Sequence, residues 1–471
     1  MTREDMLFAS ATQMAAAIRG KVVSSEELVK AHLDRIAAVN PVLNAVVQWN
    51  ADSAIRQARR LDELLAQGTV LGPLHGVPFT VKDAFETAEF VSSAGTLGRR
   101  TYVPEADATV VSRLRAAGAV LLGKTNVPEL SLVYECDNLV YGRTNNPHDL
   151  SRSPGGSCGG EAAIIAAGGS PLGLGSDACG SIRVPAHYCG IAGYKPTTGL
   201  VPATGHFPPS AGTLAPILSV GLLARHVEDF VTTLPLIAGG DWRDPSVVPM
   251  PVGRPAAVEL RRLSVAFFTG DGTCLPTTET AQAVRRCAAA LEEAGLAVRE
   301  AVPDGMELAF DIMNGYLAAD GGVSLEGLLE MCGTDTPHPF TQRLMKDMRI
   351  SAMTTAEFGG LMVSWHLFRS MMLTFMEKVD VLLCPVAATP ALPHGASMDE
   401  ERRRGFGYAV AFNLTGWPSV ALCAGRTAEG LPIGVQVVAR PWRDDVALAV
   451  AGYLQQVCGP PPRPSFERDR Q

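Results

Sequence analysis

Short apolar runs alternate with helical stretches from residue 77 onward, and this alternation constrains the fold more than any other feature of the chain. The runs at 77–81, 119–122, 263–268, 379–383, 420–422 and 435–438 have the length of buried strands. Helices are predicted at 108–117, 161–167, 279–294 and 445–456. The alternation predicts an α/β fold in which helices cover both faces of a central sheet.

Two helices are predicted ahead of this region. One begins at a capping box from Ser24 to Glu27 and ends at Asn40 and Pro41, and the second covers 51–66. The proline-rich stretch 241–255 and the charged stretch 394–405 are expected to be surface loops.

Composition and charge exclude several classes of protein. The net charge of −8 without a basic block gives no electrostatic footprint for nucleic acid. The ten cysteines lack C-x-x-C and cysteine–histidine metal spacings, so they are interpreted as small buried side chains in a reducing compartment, with no metal or cofactor. Neither a signal peptide nor an apolar stretch of transmembrane length is found, which predicts a cytoplasmic protein without a membrane partner.

Two glycine motifs imitate nucleotide-binding loops. The segment 118–125 fits G-x-x-x-x-G-K-T, but its A-V-L-L core is predicted to be the strand itself. The segment 173–178 fits G-x-G-x-x-A, yet Gly180 and Pro185 stand where a continuous helix should follow. The histidines are isolated and no G-x-S-x-G elbow accompanies them, which argues against a histidine-based triad.

One lysine and two serines lie in distinctive contexts. Lys82 ends G-V-P-F-T-V-K, Ser157 lies in S-P-G-G-S-C-G-G-E, and Ser181 lies in G-S-D-A-C-G-S-I-R. A serine hydroxyl needs an adjacent base to act as a nucleophile, so the trio points to acyl transfer. The glycines around Ser157 indicate crowded backbone, although a tight loop with an incidental serine explains them equally well. The turn at Ser181 could form an anion-binding nest.

Lys82 is predicted at the end of a buried strand, where a charged ammonium is costly. Two explanations stay open. It is either ion-paired, with Asp83 or Glu161 as partner, or it is neutral and able to act as a base.

Taken with the motifs L-G-K-T-N-x-P-E, Y-G-x-T-x-N-P and G-Y-K-P-T-x-G, the chain resembles the amidase signature family along most of its length. The resemblance implies a single α/β domain over residues 1–471 with a mixed β-sheet. Residues 1–66 would form an N-terminal helical segment and 67–240 a catalytic core. Residues 241–471 would hold variable substrate-pocket loops at 306–340 and 353–375, followed by C-terminal strands and a helix. A further variable loop of this kind is expected at 129–140.

The resemblance also implies the roles of the residues. Ser181 matches the nucleophile, Ser157 the bridging serine with a cis peptide bond before it, and Lys82 the neutral base. The backbone N–H groups that would form the oxyanion hole belong to Ala178, Cys179, Gly180 and Ser181. Tyr134 lies in a stretch that resembles the family's pocket lining, so it is either a substrate contact or a core residue.

The chain departs from the family pattern at two positions. Cys158 replaces a serine and is expected to make a weaker hydrogen bond. Cys179 replaces a glycine, which predicts a narrower site or a negative φ at that position. Asp177 and Arg183 are expected to be a structural pair that fixes the nucleophile turn.

The resemblance therefore implies an amidase that hydrolyses C–N bonds of small or medium uncharged amides, with anilides, carbamates and esters open to the same chemistry. The chain would act as a monomer or homodimer on a small-molecule substrate. Two alternatives stay open: the amidase subunit of a tRNA-dependent amidotransferase, and a non-catalytic binding protein on the same scaffold.

Overall fold

The computed structural model describes residues 3–464, and its centre is one mixed sheet of eleven strands. The strands are β1 Val46–Trp49, β2 Pro78–Lys82, β3 Val120–Thr125, β4 Leu172–Asp177, β5 Ala192–Lys195, β6 Ser219–Ala224, β7 Ser264–Phe267, β8 Ala297–Glu300, β9 Val381–Pro385, β10 Ser419–Arg426 and β11 Pro432–Ala439. Their order across the sheet is β1-β3-β2-β4-β6-β5-β10-β11-β9-β7-β8.

Parallel and antiparallel pairs alternate in blocks along this sheet. β2 is parallel to both β3 and β4, and β7 is parallel to both β8 and β9. The remaining neighbours pair antiparallel. Strands such as β2, β4 and β11 are buried at every position, because helices cover both faces of the sheet.

Helices precede, separate and follow the strands. They are α1 Arg3–Leu7, α2 Ala11–Arg19, α3 Ser25–Leu43, α4 Ala51–Ala66, α5 Thr109–Ala116, α6 Gly159–Ala166, α7 Arg183–Cys189, α8 Glu228–Ile237, α9 Thr278–Glu293, α10 Ala309–Ala318, α11 Val323–Cys332, α12 Pro339–Ile350, α13 Thr355–Met376, α14 Glu400–Arg404, α15 Gly407–Leu414 and α16 Asp444–Cys458. The α/β fold with a mixed central sheet is therefore confirmed. Among the described residues, no helix is both long and apolar enough to span a bilayer.

The predicted end of α3 at Asn40 and Pro41 is wrong. The helix continues to Leu43, and Asn44 ends it with φ 50° while its N–H donates to the carbonyl of Asn40. Pro41 lies inside the last turn, where it cannot donate a backbone hydrogen bond but does not end the helix. The capping box predicted at Ser24 and Glu27 is present.

The stretches 306–340 and 353–375 were expected to be loops, and this expectation is wrong. They form α10, α11, the start of α12 and α13. The sequence carried a readable signal for α13, because Thr354 and Glu357 form a capping box at its first turn. The charged stretch 394–405 is not entirely a loop either, since it contains α14, capped by Asp399.

The sheet topology brings Lys82 close to the turn that carries Ser181. β2 ends at Lys82, and its parallel neighbour β4 ends at Asp177, just before the turn that leads to α7. Because parallel neighbours end at the same edge of a sheet, the lysine and this turn lie side by side.

Candidate active site

Lys82 lies at the centre of the site and is fully buried at the end of β2. Its Nζ is 2.7 Å from the Oγ of Ser157 and 2.9 Å from the Oγ of Ser176. Burial lowers the pKa of Lys82, while interactions with Cys158 and Asp177 oppose this shift. The lysine is therefore biased towards its neutral form.

The alternative in which Lys82 pairs with Asp83 or Glu161 is wrong. Asp83 forms an ion pair with Lys124, with Nζ and Oδ1 3.2 Å apart. The Glu161 carboxylate instead accepts hydrogen bonds from the hydroxyls of Thr80 and Thr125. Within residues 3–464, Lys82 has no carboxylate in ion-pair contact.

Ser157 is held by a loop in which glycines are required by close backbone contacts. A Cβ on Gly156 would lie 2.4 Å from the carbonyl oxygen of Val133, and one on Gly160 would lie 2.5 Å from the nitrogen of Asn126. The Gly156–Ser157 peptide bond is cis. The glycine-rich frame therefore positions Ser157, which is buried against Lys82.

Ser181 lies on the turn between β4 and α7 and is partly exposed, unlike Ser157 and Lys82. The carbonyl of Ser181 accepts the N–H of Cys158 at 3.1 Å, which ties the turn to the Ser157 loop. Gly180 has φ +101°, a conformation that favours glycine. The structure thus brings Lys82, Ser157 and Ser181, predicted from separate motifs, into one site.

The buried carboxylate of Asp177 organises the turn. It accepts the N–H groups of Gly180 at 2.6 Å and Ile182 at 3.1 Å, and it pairs with the Nε of Arg183 at 3.0 Å. Burial opposes its ionisation, but the charge and hydrogen bonds of Arg183 outweigh burial, so the pKa of Asp177 lies below its ordinary value.

The expected set of four oxyanion donors differs in one member. The N–H of Gly180 is directed to Asp177, so it is not free to bind an anion. In the part of the chain that the structure describes, the N–H groups of Ala178, Cys179 and Ser181 have no hydrogen-bond acceptor. These three are the donors available to a substrate oxygen.

The two cysteines that depart from the family pattern are accommodated differently. Cys158 directs its Sγ to the carbonyl of Ser176 at 3.3 Å, which is the weak hydrogen bond expected of a thiol. Cys179 does not adopt a positive φ, and its side chain packs against an apolar cluster. Burial raises the pKa of Cys158 to about 11 and that of Cys179 to about 12.

Tyr134 contacts the turn that carries Ser181 directly. Its hydroxyl donates to the carbonyl of Cys179 at 2.6 Å, and its ring stacks on Phe406 with centroids 3.9 Å apart. Burial raises the pKa of Tyr134 well above its ordinary value, so the hydroxyl keeps its proton. Tyr134 therefore supports the backbone of the turn, and a contact with substrate stays a prediction.

Sequence reasoning missed two residues of the site. Ser176 bonds to Lys82, and the Nε2 of His206 lies 2.8 Å from the Oγ of Ser176. Ser176 stands next to Asp177 in the motif that carries Ser181, where its hydroxyl at a strand end was a usable signal. His206 gave no signal, because it comes from a loop beyond β5.

The turn that carries Ser181 adjoins an apolar cluster. The side chains of Ala178 and Cys179 pack against buried side chains that come mainly from α10, α13 and α15. Large members of the cluster are Phe268, Tyr316, Trp365, Phe368, Tyr408, Phe412 and Trp417. Among the described residues, no group of three or more histidine, cysteine or acidic side chains is arranged to hold a metal ion.

Known proteins resemble this chain in both sequence and fold. The family model described as "Amidase" matches residues 27–448. The chain is 32% identical to fatty-acid amide hydrolase 2 of Homo sapiens, over 97% of this chain and 90% of that protein. It is also 32% identical to a glutamyl-tRNA(Gln) amidotransferase subunit of Cyanothece sp., over 95% of this chain and 98% of that protein.

Among solved structures, 6-aminohexanoate cyclic dimer hydrolase superposes with a TM-score of 0.86 and 30% identity, covering 98% of this chain and 99% of that one. The fold and the match together define a hydrolase of amide C–N bonds. The chain belongs to the amidase signature family.

Proposed function

We propose that this amidase hydrolyses small or medium uncharged amides through an acyl-enzyme on Ser181, with Ser157 and Lys82 as its proton relay. The observation that carries this proposal is the contact of 2.7 Å between the fully buried Nζ of Lys82 and the Oγ of Ser157. A lysine buried without a carboxylate partner favours its neutral form, and only the neutral form can accept a proton.

The first step forms the acyl-enzyme. Ser157 accepts the hydroxyl proton of Ser181 and passes its own proton to Lys82, while the Oγ of Ser181 attacks the amide carbon. The negative charge that develops on the carbonyl oxygen is stabilised by the N–H groups of Ala178, Cys179 and Ser181. Collapse of the tetrahedral intermediate breaks the C–N bond, and the proton returns from Lys82 through Ser157 to the departing amine.

The second step releases the acid. Water attacks the ester carbon of acyl-Ser181, and its proton follows the same path to Lys82. Breakage of the ester bond returns a proton to the Oγ of Ser181. The relay therefore begins and ends each cycle in the same protonation state.

Ala178 and Cys179, which are partly exposed beside Ser181 and pack on an apolar cluster, give this surface an apolar character that supports an uncharged acyl group. A charged substrate group would lose its hydration there without gaining a partner. The name of the human relative, fatty-acid amide hydrolase 2, agrees with an apolar acyl group. Anilides, carbamates and esters fit the same acyl-enzyme chemistry.

A substrate panel with a matched variant tests the proposal. Wild type is assayed against aliphatic amides, anilides, carbamates and amino-acid amides, and Ser181→Ala is assayed against the best of these. We expect neutral apolar amides to be preferred and Ser181→Ala to be inactive but folded. A fluorophosphonate probe should label Ser181 in the wild type, as read by mass spectrometry. Wild-type turnover in Ser181→Ala would overturn the proposal.

The second candidate is the amidase component of a tRNA-dependent amidotransferase, favoured by the near full-length match to the Cyanothece sp. protein. Cys158 and Cys179, which replace the usual serine and glycine, weigh against it. Turnover of simple amides by the purified chain alone favours the amidase, whereas activity that requires glutamine and a partner protein favours the amidotransferase.

The third candidate is a binding protein that lacks catalysis. The retained contact between Lys82 and Ser157 and the free N–H groups at Ser181 argue against it. Failure of the fluorophosphonate probe to label the folded wild type, together with inactivity on the whole panel, would favour it.

A further inference from the structure

A buried chain of hydrogen bonds extends from Lys82 away from Ser157. Lys82 Nζ lies 2.9 Å from Ser176 Oγ, and Ser176 Oγ lies 2.8 Å from His206 Nε2. The other ring nitrogen of His206, Nδ1, lies 2.7 Å from the carbonyl oxygen of Pro208. All three side chains are buried, so water does not compete strongly for these contacts.

The carbonyl of Pro208 fixes the tautomer of His206. A carbonyl oxygen can only accept a hydrogen bond, so Nδ1 must carry the proton that it donates. In the neutral ring, Nε2 then holds a lone pair and accepts the hydroxyl proton of Ser176. The carbonyl oxygen of Pro208 thus sets which atom donates in the hydrogen bond between Ser176 and His206.

The direction of the hydrogen bond between Ser176 and Lys82 follows in the same way. Once the Ser176 hydroxyl proton points to His206, the Ser176 oxygen can only accept from an N–H of Lys82. A neutral amine has one lone pair, and this arrangement leaves it free to face Ser157. Without the histidine, the hydroxyl of Ser176 could rotate and occupy that lone pair.

We propose that His206 is a positioning residue that directs the Ser176 hydroxyl away from Lys82, so that the lone pair of Lys82 is kept for Ser157. This inference rests on the proposed function, in which Lys82 is the base.

The backbone holds His206 against the segment that carries Lys82. The N–H of Glu86 donates to the carbonyl of Gly205 at 2.8 Å, and the N–H of Phe207 donates to the carbonyl of Ala84 at 2.7 Å. The ring of Phe85 packs edge-on against His206 with centroids 5.2 Å apart. These contacts tie the loop that carries His206 to the segment directly after β2.

The charged and titratable surroundings keep the histidine neutral. Burial lowers the pKa of His206 to about 3, a protonated Lys82 would lower it further, and the Pro208 carbonyl opposes these effects. Lys82 itself interacts with Cys158, Asp177, Cys136 and Glu161. The Nε2 of His206 contacts the Oγ of Ser176 directly at 2.8 Å, so its lone pair stays available to the Ser176 hydroxyl at neutral pH.

Two substitutions of His206 distinguish loss of the acceptor for the Ser176 hydroxyl from loss of side-chain packing. His206→Gln places a side-chain carbonyl near the position of Nε2 and can still accept from Ser176, whereas His206→Met fills the space without an acceptor. We expect kcat/KM of His206→Met to fall about tenfold at its pH plateau, the scale of one lost hydrogen bond. In the pH profile of kcat/KM, the limb that rises as Lys82 loses its proton should move to lower pH by about half a unit in His206→Met. The reason is that a Ser176 hydroxyl that donates to Lys82 favours the neutral amine. His206→Gln should stay within about threefold of wild type.

Ser176→Ala provides the second test, because it removes the hydroxyl through which His206 acts. In that background His206→Met should change kcat/KM by less than about twofold. Two results would show that His206 has only a structural role and would overturn the inference. One is a lower kcat/KM plateau in His206→Met without a shift of the rising limb. The other is a full tenfold loss of kcat/KM when His206→Met is added to Ser176→Ala.

The folded state of each variant is checked by thermal unfolding. If His206→Met does not fold, the pH profile of kcat/KM for Ser176→Ala decides instead. Loss of an oxygen that accepts from Lys82 should move the rising limb to lower pH, and a limb that stays in place or moves to higher pH overturns the inference. Turnover by Ser181→Ala would overturn the proposed function and this inference together, whereas an unmoved limb in an enzyme that requires Ser181 overturns only the role of His206.

Discussion

Asp177 and Arg183 form a fully buried, two-point ion pair at the turn that carries Ser181, with Nε to Oδ2 and Nη2 to Oδ1 both at 3.0 Å. The sequence predicted this structural pair, and the structure adds the N–H of Gly180 as a further donor to the same carboxylate. The pair therefore determines which backbone groups of the turn remain free.

We expect Asp177→Asn to destabilise the protein by about 3–5 kcal/mol, because it leaves the Arg183 charge buried without its counter-ion. Urea unfolding of the folded variant measures this loss. Asp149→Asn is the matched control, since it breaks the more exposed pair of Asp149 with Arg152 and should change stability little. Equal effects of the two variants would contradict the role assigned to Asp177.

The two buried lysines at the ends of β2 and β3 should respond in opposite ways to replacement by methionine. Lys82→Met removes the proposed base and should lower kcat by about 10²–10⁴-fold. It should cost little stability, since no described carboxylate forms an ion pair with Lys82. Lys124→Met leaves Asp83 buried and unpaired and should cost about 3–5 kcal/mol. Turnover and unfolding are measured for both, and a wild-type kcat in Lys82→Met would contradict the relay.

Stability should depend on pH through Lys82. Burial lowers its pKa in the folded protein from its ordinary value of 10.5, so the unfolded chain binds the proton more tightly. The unfolding free energy contributed by this group therefore rises with pH between the lowered pKa and about 10.5. The difference in unfolding free energy between wild type and Lys82→Met should increase over that window. If this difference in unfolding free energy did not change with pH, Lys82 would have the same pKa in the folded and unfolded states.

Cys158 and Cys179 should not act as nucleophiles. Burial raises their pKa values to about 11 and about 12, so thiolate is scarce at neutral pH. We expect the variant with both Cys158→Ser and Cys179→Ser to keep kcat within about tenfold of wild type. Iodoacetamide at neutral pH should inactivate the wild type slowly. Loss of fluorophosphonate labelling in the double variant would contradict this expectation.

Tyr134→Phe tests the support of the turn by the tyrosine hydroxyl. The variant keeps the stacking on Phe406 but loses the hydrogen bond to the carbonyl of Cys179. We expect kcat to fall about tenfold while KM changes little, because the lost bond positions backbone donors rather than substrate. A rise in KM at unchanged kcat would instead indicate that Tyr134 binds the substrate.

Local chemistry determined much of this protein in advance. The strand before Lys82, the glycine frame of Ser157 and the turn at Ser181 were recognisable because each depends on neighbours within a few residues. Helix limits were less predictable: Pro41 predicts an end, yet α3 continues to Leu43 despite the backbone hydrogen bond that proline cannot donate.

The tertiary structure alone decided which groups meet. It paired Asp83 with Lys124 rather than with its chain neighbour Lys82. Asp83 continues the line of β2 by donating its N–H to Thr125, and successive residues along an extended segment point to opposite faces. It also brought His206 from a distant loop to Ser176. The sequence thus determined which chemical groups are present at the ends of β2 and β4, whereas the directions of their hydrogen bonds depend on contacts between segments far apart in the chain, which no local pattern encodes.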